Sequence, residues 1–262
     1  MGNAADDREV KSDYSTPALE KGLDVIELLA RQPGGLTKSQ IARQLGRTVS
    51  EIFRMLVCLE RRGYISHVAG DEYALTLRLF KLVQAHPPTE RLIAEAAPVL
   101  RRFSQVTMQS CHMGVIEEGA VVILAQQNAP TSVGLYVKLG TSIDIMDAST
   151  GYVILAHQNN SKRGETLAGW KRRTGKEVPA DLLRHLKRIR RKGYEERESY
   201  QVHGVINISF PIYDDGGCVM GALTTPYIKQ VGAVVSRQDV VNALRISADD
   251  ITNAIGGSAS RS

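Results

Sequence analysis

The stretch from Gln44 to Leu56, QLGRTVSEIFRML, places polar and charged side chains ahead of apolar ones at helical spacing. Its polar part contains groups that hydrogen-bond to nucleic acid, namely Arg47, Thr48, Ser50, Glu51 and Arg54. Arginine bonds guanine or phosphate, glutamate accepts from cytosine, and hydroxyl groups bond phosphates or either type of base. A recognition helix enters the major groove by its N-terminal part, so this order predicts a helix that contacts DNA.

The charge around this stretch supports the same interpretation. Between positions 38 and 62, six basic residues outnumber two acidic ones and give a local charge of +4, against +5 for the whole chain: Lys38, Arg43, Arg47, Arg54, Arg61 and Arg62 against Glu51 and Glu60. We therefore add Lys38 to the predicted DNA contacts. The alternative is a helical hairpin used for protein contacts, because solvated charged faces are common on helices.

The elements that must position these residues follow from the spacing of apolar side chains. Steps of three and four residues predict a helix over 17–31, with Thr16 as its cap. Thr37 then precedes a second, short helix, whose Ile41 and Leu45 face inward.

A third helix, Val49 to Arg62, carries the predicted DNA contacts at its start. Ala42 lies where the second and third helices cross, and Gly46 takes the positive φ of the turn between them. The side chains expected to face inward are Ile52, Phe53, Met55, Leu56 and Leu59. Alternation after this helix predicts a two-stranded hairpin that turns at Ala69 to Asp71. This order predicts a winged helix-turn-helix over residues 16–74.

A second domain is expected after a linker helix at 75–88, where two prolines end the helical pattern. It begins with a helix from near Thr89, in which Pro98 is expected to form a kink. Over 89–257 we predict an α+β fold, because consecutive hairpins favour an antiparallel sheet and helices lie between them. The hairpins are expected at 112–126, 133–146 and 204–226, and the further helices at 151–158, 179–192 and 237–255.

The composition is that of a soluble globular protein, with 43% hydrophobic and 23% charged residues in 262. No segment approaches the roughly 18 to 20 consecutive apolar residues of a membrane span, so no membrane partner is predicted. The acidic, polar start, 1–15, has no apolar core typical of a secretory signal, and Asp6 does not fit a myristoylation signal. We expect 1–15 to be a disordered tail, 258–262 a disordered end, and the protein cytoplasmic.

Neither a metal, a cofactor nor a catalytic site is predicted. The odd number and wide spacing of Cys58, Cys111 and Cys218 indicate a reducing compartment and small buried cysteines. Cys111 and His112 are adjacent on a predicted strand, so they leave opposite faces and cannot share one metal. No Gly-x-Ser-x-Gly, His-Glu-x-x-His or phosphate-loop motif occurs, and the six histidines lie in no catalytic signature, so an enzyme is not expected.

Taken together, these segments resemble the IclR family of bacterial transcriptional regulators over nearly all of residues 16–257. The resemblance is carried by ALEKGLDVIELLA, LTKSQIARQLGRTVSEIFRMLVCLERRGYI, YALTLRLFKL, KLGTSIDIMDASTGYVILA and HGVINISFPIYDDGGCVMGALTTP, in that order. It implies a winged helix-turn-helix joined by a linker helix to a GAF-like effector domain. It also implies homodimers or homotetramers that bind a palindromic operator in double-stranded DNA and respond to a small metabolite. We expect repression, although the sequence alone leaves activation open.

The resemblance implies an effector pocket between a helix start and the last hairpin. Carried over to this chain, its residues are Leu135, Ser149, Thr150 and Gly151 on one wall and Asn207, Ser209, Thr224 and Thr225 on the other. Hydroxyl and free backbone N–H groups at a helix start suit a carboxylate. An acidic residue is common in the family about ten positions before Asn207, where this chain has Arg197 and Glu198. Arg197 would attract an acidic ligand and Glu198 a polyol, and we favour a small organic acid with Arg197 in the site.

Two alternatives remain at this stage. The basic run 162–197 could compete for DNA, although its apolar residues, Leu182, Leu183, Leu186 and Ile189, favour an amphipathic helix with a solvated charged face. The second domain could also serve oligomerisation alone, in which case its serines and threonines would be caps and strand-end hydrogen-bonding residues.

Overall fold

The computed structural model describes residues 16–84, 87–230 and 235–258. The predicted tail at 1–15 and nearly all of the predicted disordered end lie outside these residues. The chain divides between Pro87 and Pro88 into two compact units.

Three helices and three short strands form the helix-turn-helix part of the N-terminal unit: α1 (Pro17–Ala30), β1 (Leu36–Thr37), α2 (Lys38–Gln44), α3 (Val49–Arg61), β2 (Ile65–Val68) and β3 (Glu72–Leu75). The predicted hairpin is present as β2 and β3. It is part of a larger sheet than expected, because β1 pairs with β3 through Leu36 and Tyr73 and through Thr37 and Glu72. The strand order is β1-β3-β2.

Local signals fix where α2 and α3 begin. The Thr37 hydroxyl accepts from the backbone of Gln40, whose side chain accepts in turn from the Thr37 backbone, and Thr48 and Glu51 repeat this capping box at the start of α3. Thr16 occupies the N-cap position of α1, but its side chain forms no capping hydrogen bond, so the prediction of a side-chain cap there is wrong.

The core of this unit lies between the three helices, and its buried residues include Val25, Ile41, Ile52, Leu56 and Leu59. Ala42 is buried and Gly46 has φ 63°, as the helix-turn-helix pattern predicts. Phe53 does not face inward as expected, since 48% of its side chain is exposed. One residue step turns a helix by about 100°, which takes Phe53 off the stripe formed by Ile52 and Leu56.

Two helices follow the hairpin: α4 (Arg78–Gln84) and α5 (Pro87–Thr107). Part of the predicted linker helix, residues 85 and 86, lies outside the described residues. Helix α4 ends at Gln84, before the two prolines that were expected to end a helix. The prolines stand at the start of α5, where proline is tolerated because the first N–H groups have no helical acceptor.

The C-terminal unit is built on a six-stranded antiparallel sheet with the order β6-β5-β4-β9-β8-β7. Its strands are β4 (Cys111–Glu117), β5 (Ala120–Gln127), β6 (Ser142–Asp144), β7 (Glu195–Glu198), β8 (Ile206–Tyr213) and β9 (Val219–Tyr227). The helices that follow α5 along the chain are α6 (Ser149–His157), α7 (Asn160–Thr174), α8 (Leu182–Lys192) and α9 (Arg237–Ala254). The α+β class with an antiparallel sheet is confirmed.

Each face of the sheet carries its own apolar cluster. Leu223 packs with residues of α5 and α9, whereas its neighbour Ala222 packs with residues of α6 and α8. Successive side chains of a strand point to opposite faces, so these two clusters lie on the two sides of the sheet.

Several element predictions in this unit are wrong. Of the hairpin expected at 133–146 only β6 forms, and the preceding residues are irregular, with Val133 73% and Tyr136 54% exposed. An alternating pattern becomes a strand only when a partner covers it, and strand preference depends on that context. α7 was not predicted, because Thr166 and Trp170 are its only fully buried residues and leave a weak apolar period.

The expectation of buried cysteines holds for Cys111 alone, since Cys58 and Cys218 are exposed. In the part of the chain that the structure describes, no helix is long and apolar enough to cross a membrane.

Candidate functional sites

Three of the predicted DNA contacts are free to meet a partner. Lys38, Ser50 and Arg54 are exposed, and none of them pairs with another described residue. They lie at the start of α2 and along the first two turns of α3. This region therefore presents two cationic side chains and one hydroxyl group to the surroundings.

The other polar residues at the start of α3 have partners within the unit. Glu51 Oε2 accepts from the backbone N–H of Thr48 at 2.8 Å, and Glu51 Oε1 lies 3.1 Å from Lys21 Nζ on α1. These hydrogen bonds lower the pKa of Glu51 to about 2, so it is a carboxylate at neutral pH. Arg47 Nη2 lies 3.0 Å from Asp24 Oδ2, also on α1. One ion pair thus joins α3 to α1, and a second joins the turn before α3 to α1.

An exposed apolar strip on α3 was missed by the sequence analysis. Val49, Phe53 and Val57 are 38%, 48% and 46% exposed. They recur every four residues, so they lie on one face of the helix. Their spacing is visible in the sequence, but only Phe53 was considered there, and it was predicted to face inward because inward and outward apolar residues are interleaved here.

A cavity of about 260 Å³ lies in the C-terminal unit between the start of α6, the strands β8 and β9, and the segments 135–143 and 199–205. Five of the predicted effector residues line it: Leu135, Ser149, Thr150, Asn207 and Thr224. We call it the effector cavity below.

The remaining four predicted effector residues, Gly151, Arg197, Ser209 and Thr225, are not part of the lining. A Cβ atom on Gly151 would lie 2.4 Å from the carbonyl oxygen of Ile145, so this glycine is required by packing. The Arg197 guanidinium lies 4.6 Å from the centre of the Tyr152 ring, where it stacks outside the cavity.

Thr225 and Ser209 have internal partners. Thr225 follows Thr224 on β9 and points to the other face of the sheet, where its hydroxyl donates to the Ser110 carbonyl at 2.7 Å. The Ser209 hydroxyl lies behind the cavity wall, 2.7 Å from Thr224 Oγ1.

Buried hydroxyl groups run along one wall of the effector cavity. Thr224 Oγ1 lies 2.8 Å from Thr150 Oγ1 as well as near Ser209, so three hydroxyl groups form a chain. Ser149 is 2% exposed, and its Oγ forms no hydrogen bond with any described residue. A buried hydroxyl without a partner is costly, so Ser149 is well placed to bond a ligand.

His112 lies on the same wall and was missed as a site residue. It pairs with Thr224 across β4 and β9, which brings both side chains to the cavity face. Burial lowers the pKa of His112 to about 4, so it is neutral at neutral pH. Its neighbour Cys111 is buried in the opposite cluster, as strand alternation predicts, and burial raises the pKa of that thiol. The lining side chains in the described chain therefore carry no formal charge at neutral pH.

The architecture matches a known class of protein. The IclR helix-turn-helix domain matches residues 18–69, and the bacterial transcriptional regulator IclR C-terminal domain matches residues 88–253. The chain belongs to the IclR family of bacterial transcriptional regulators.

Individual relatives agree with this assignment. The chain is 25% identical over 223 residues to the HTH-type transcriptional regulator KdgR of Escherichia coli (strain K12), covering 83% of this chain and 85% of that protein. It is 24% identical over 251 residues to the HTH-type transcriptional repressor AllR of Salmonella typhi, covering 91% and 90%. An IclR homologue from Microbacterium hydrocarbonoxydans, solved in complex with 4-hydroxybenzoate, superposes with a TM-score of 0.75 at 22% identity, over 91% of this chain and 98% of that one.

Proposed function

We propose that the chain is a transcription factor that binds a palindromic operator and whose binding is modulated by a small organic acid. In this proposal, 16–74 is the DNA-binding domain, 75–88 the linker helix and 89–257 the effector domain. The observation that carries it is the pairing, within one chain, of a helix-turn-helix with an exposed cationic front and a second unit with a buried hydroxyl-lined cavity. We further propose repression, in line with the relative named as a repressor, and action in the cytoplasm as a homodimer or homotetramer.

On the DNA side we propose a division of roles among six residues: Lys38, Arg47, Thr48, Ser50, Glu51 and Arg54. Arg54 and Lys38, which have no internal partner, contact phosphates, and Ser50 contacts a phosphate or a base. Arg47 and Glu51 keep α3 in place through α1 and face the groove with their remaining hydrogen-bonding capacity. The apolar strip adds contacts to thymine methyl groups, because Phe53 lies next to Arg54 on the exposed side.

In the effector cavity we propose that a carboxylate sits at the start of α6. The first backbone N–H groups of a helix have no acceptor within it and favour an anion. Ser149 Oγ adds a donor, and the N-cap residue Ala148 has no side-chain oxygen to compete for these N–H groups. Asn207 on the facing wall bonds the rest of the ligand.

The size of the cavity and its lack of charged side chains restrict the ligands that we propose for it. A volume of about 260 Å³ suits a small acid. The 4-hydroxybenzoate bound by the Microbacterium relative is such an acid, with a carboxylate and one hydroxyl group. Since no formal charge lines the cavity, we propose that the carboxylate is recognised by N–H and O–H dipoles. Arg197, which was expected in the site, lies outside the cavity lining.

Two binding measurements test the proposal. Purified protein is titrated with a duplex from the region upstream of its own gene, and operator affinity is expected to fall steeply with salt. Thermal unfolding is followed with benzoate, 4-hydroxybenzoate and other small acids, with 4-hydroxybenzyl alcohol as a neutral control. A ligand that binds the folded state raises the Tm.

Variants then separate the two activities. Ser149→Ala is expected to weaken acid binding about two- to tenfold, the effect of one hydrogen bond. Ser161→Ala, the same change at an exposed residue outside the cavity, is expected to leave it unchanged. Arg54→Ala should weaken operator binding without changing the thermal response to the acid, and Asn207→Ala should do the reverse. An operator complex in a protein that responds to no acid would favour a second domain that serves oligomerisation alone.

A further inference from the structure

A second cavity of the C-terminal unit, about 740 Å³, lies where α6 ends, α7 begins and the β8–β9 hairpin turns. It shares no lining residue with the effector cavity. The two cavities are related through α6, because the first residues of this helix line one cavity and its last residue lines the other. The second cavity is therefore a separate location in the same unit.

Two buried polar atoms of residues that line the second cavity have no hydrogen-bond partner among the described residues. Gln158 is 7% exposed, and its Oε1 forms no hydrogen bond with any described residue. The same holds for His157 Nε2, whereas His157 Nδ1 lies 2.6 Å from Tyr213 Oη. Buried polar groups are nearly always hydrogen-bonded, so each of these two atoms requires a partner, which a bound molecule or an ordered water can supply.

The protonation states of this pair follow from its surroundings. Burial, with a contribution from the charge of Arg190, lowers the pKa of His157 to about 4, and burial raises the pKa of Tyr213 to about 12. Both side chains are neutral at neutral pH. When the Tyr213 hydroxyl donates to Nδ1, the single imidazole proton lies on Nε2, so this unpartnered nitrogen is a donor and the unpartnered Gln158 oxygen is an acceptor.

The rim of the cavity is cationic. Arg190 on α8 and Lys162 on α7 both line it, and Arg190 pairs with no carboxylate in the described part of the chain. Lys162 Nζ lies 3.3 Å from Glu165, an exposed pair that solvent screens. The only acidic side chain in the lining, Asp214, accepts the Cys218 N–H at 2.8 Å within the hairpin turn. Two cations against one engaged carboxylate favour an anion next to Arg190.

We propose that the second cavity binds a small hydroxylated anion. Its carboxylate or phosphate group is held by Arg190 and Lys162. One of its hydroxyl groups donates to Gln158 Oε1 and accepts from His157 Nε2. This site is independent of the effector proposed above, and its ligand is recognised by charge as well as by hydroxyl groups.

Calorimetric titration of the full chain tests the proposal with D-gluconate and glycerol 3-phosphate as probes. Sorbitol and glycerol serve as neutral controls with the same hydroxyl pattern. At least one of the two anions is expected to bind and both neutral compounds to fail, and the stronger anion identifies carboxylate or phosphate as the charged group. Absence of binding by both anions at millimolar concentration would overturn the proposal.

Matched variants locate the binding. Arg190→Gln is expected to weaken the anion about tenfold or more, the effect of a charged hydrogen bond. Arg191→Gln, the adjacent exposed arginine outside the cavity, removes the same charge and should change affinity less than about twofold. If Asn207→Ala abolishes binding while Arg190→Gln does not, the anion occupies the effector cavity and the second site is refuted.

A spectroscopic measurement avoids reliance on variants that could fold poorly. In protein with ¹⁵N-labelled histidine, the Nε2 signal of His157 is expected to shift when the anion is added and to stay in place with sorbitol. Gln158→Met, which keeps the side-chain size and removes the acceptor, should weaken the anion and reduce this shift. An unchanged His157 signal in the presence of a bound anion would contradict the proposed geometry.

Discussion

Replacement of Arg54 by alanine tests whether the front of α3 meets DNA. The side chain is exposed and has no partner among the described residues, so its removal breaks no internal contact. A surface change of this kind alters the free energy of unfolding by less than about 0.5 kcal/mol. A loss of operator affinity in this variant therefore reports a contact that is made to the DNA.

The magnitude follows from symmetry and charge. In the proposed dimer on two half-sites, Arg54 would be used twice, so the variant would lose two phosphate contacts. Each phosphate contact contributes about 0.9 to the slope of log affinity against log salt, which reduces the slope by about 1.8. Between about 50 and about 200 mM salt, the wild type should then lose about twelvefold more affinity than the variant.

The assay is fluorescence anisotropy of a labelled operator at several salt concentrations. The control is Arg61→Ala, which removes the same charge from an exposed position in the last turn of α3, away from the proposed DNA contacts. We expect its salt slope to stay close to that of the wild type. If Arg54→Ala keeps the full wild-type slope, Arg54 touches no phosphate and the proposed orientation of α3 is wrong.

Three further predictions concern stability, measured by urea unfolding. Thr48→Ala removes the capping box of α3 and should cost about 1 kcal/mol, whereas Thr16→Ala, which loses no capping bond, should cost less than about half of that. Gly151→Ala places a Cβ atom against a backbone carbonyl oxygen and should cost about 2 kcal/mol or more, while Gly164→Ala, with open space around it, should be neutral or stabilising. The pKa of His112 is about 4 in the folded chain, against an ordinary value of 6.5. As the pH drops, the unfolded chain therefore binds a proton at this histidine before the folded chain does. The free energy of unfolding should fall as the pH drops from about 6.5 to about 4. His112→Asn should reduce that dependence and leave the part due to His157, whose pKa is lowered to the same value. An unchanged pH profile would show that His112 is not buried as described.

The helix-turn-helix part of the molecule could be predicted from the sequence because the signals that define it are local. The capping residue Thr48, the turn at Gly46 and the small Ala42 each act on neighbours a few residues away. What the sequence did not reveal is the anchoring of Arg47 and Glu51 to α1. Those ion pairs join residues more than twenty positions apart, and nothing in the local pattern distinguishes them from free surface charges.

The effector cavity could be predicted from the sequence only in part, because some of its residues are brought together by long-range strand pairing. Ser149 and Thr150 were predicted from the resemblance to the family, and the chemistry of a helix start agrees with their place in the cavity. His112 was not, because it reaches the cavity through pairing of β4 with β9, more than a hundred positions apart in the chain. Ser209 and Thr225 lie on the hairpin where they were expected, but neither lines the cavity. Strand alternation turns Thr225 to the other face of the sheet, and the Ser209 hydroxyl pairs with Thr224.

Helix α6 connects the two cavities, because its first residues line the effector cavity and its last residue lines the second cavity. Its nine residues span about 13 Å, and apart from Tyr152 and His157 they are buried. Because a short hydrogen-bonded helix is stiff, a shift of its first turn on ligand binding would also displace His157 at the far end. Thermodynamic linkage requires the coupling free energy between two such ligands to be equal in both directions. If both proposed ligands bind, this one helix would therefore couple their affinities.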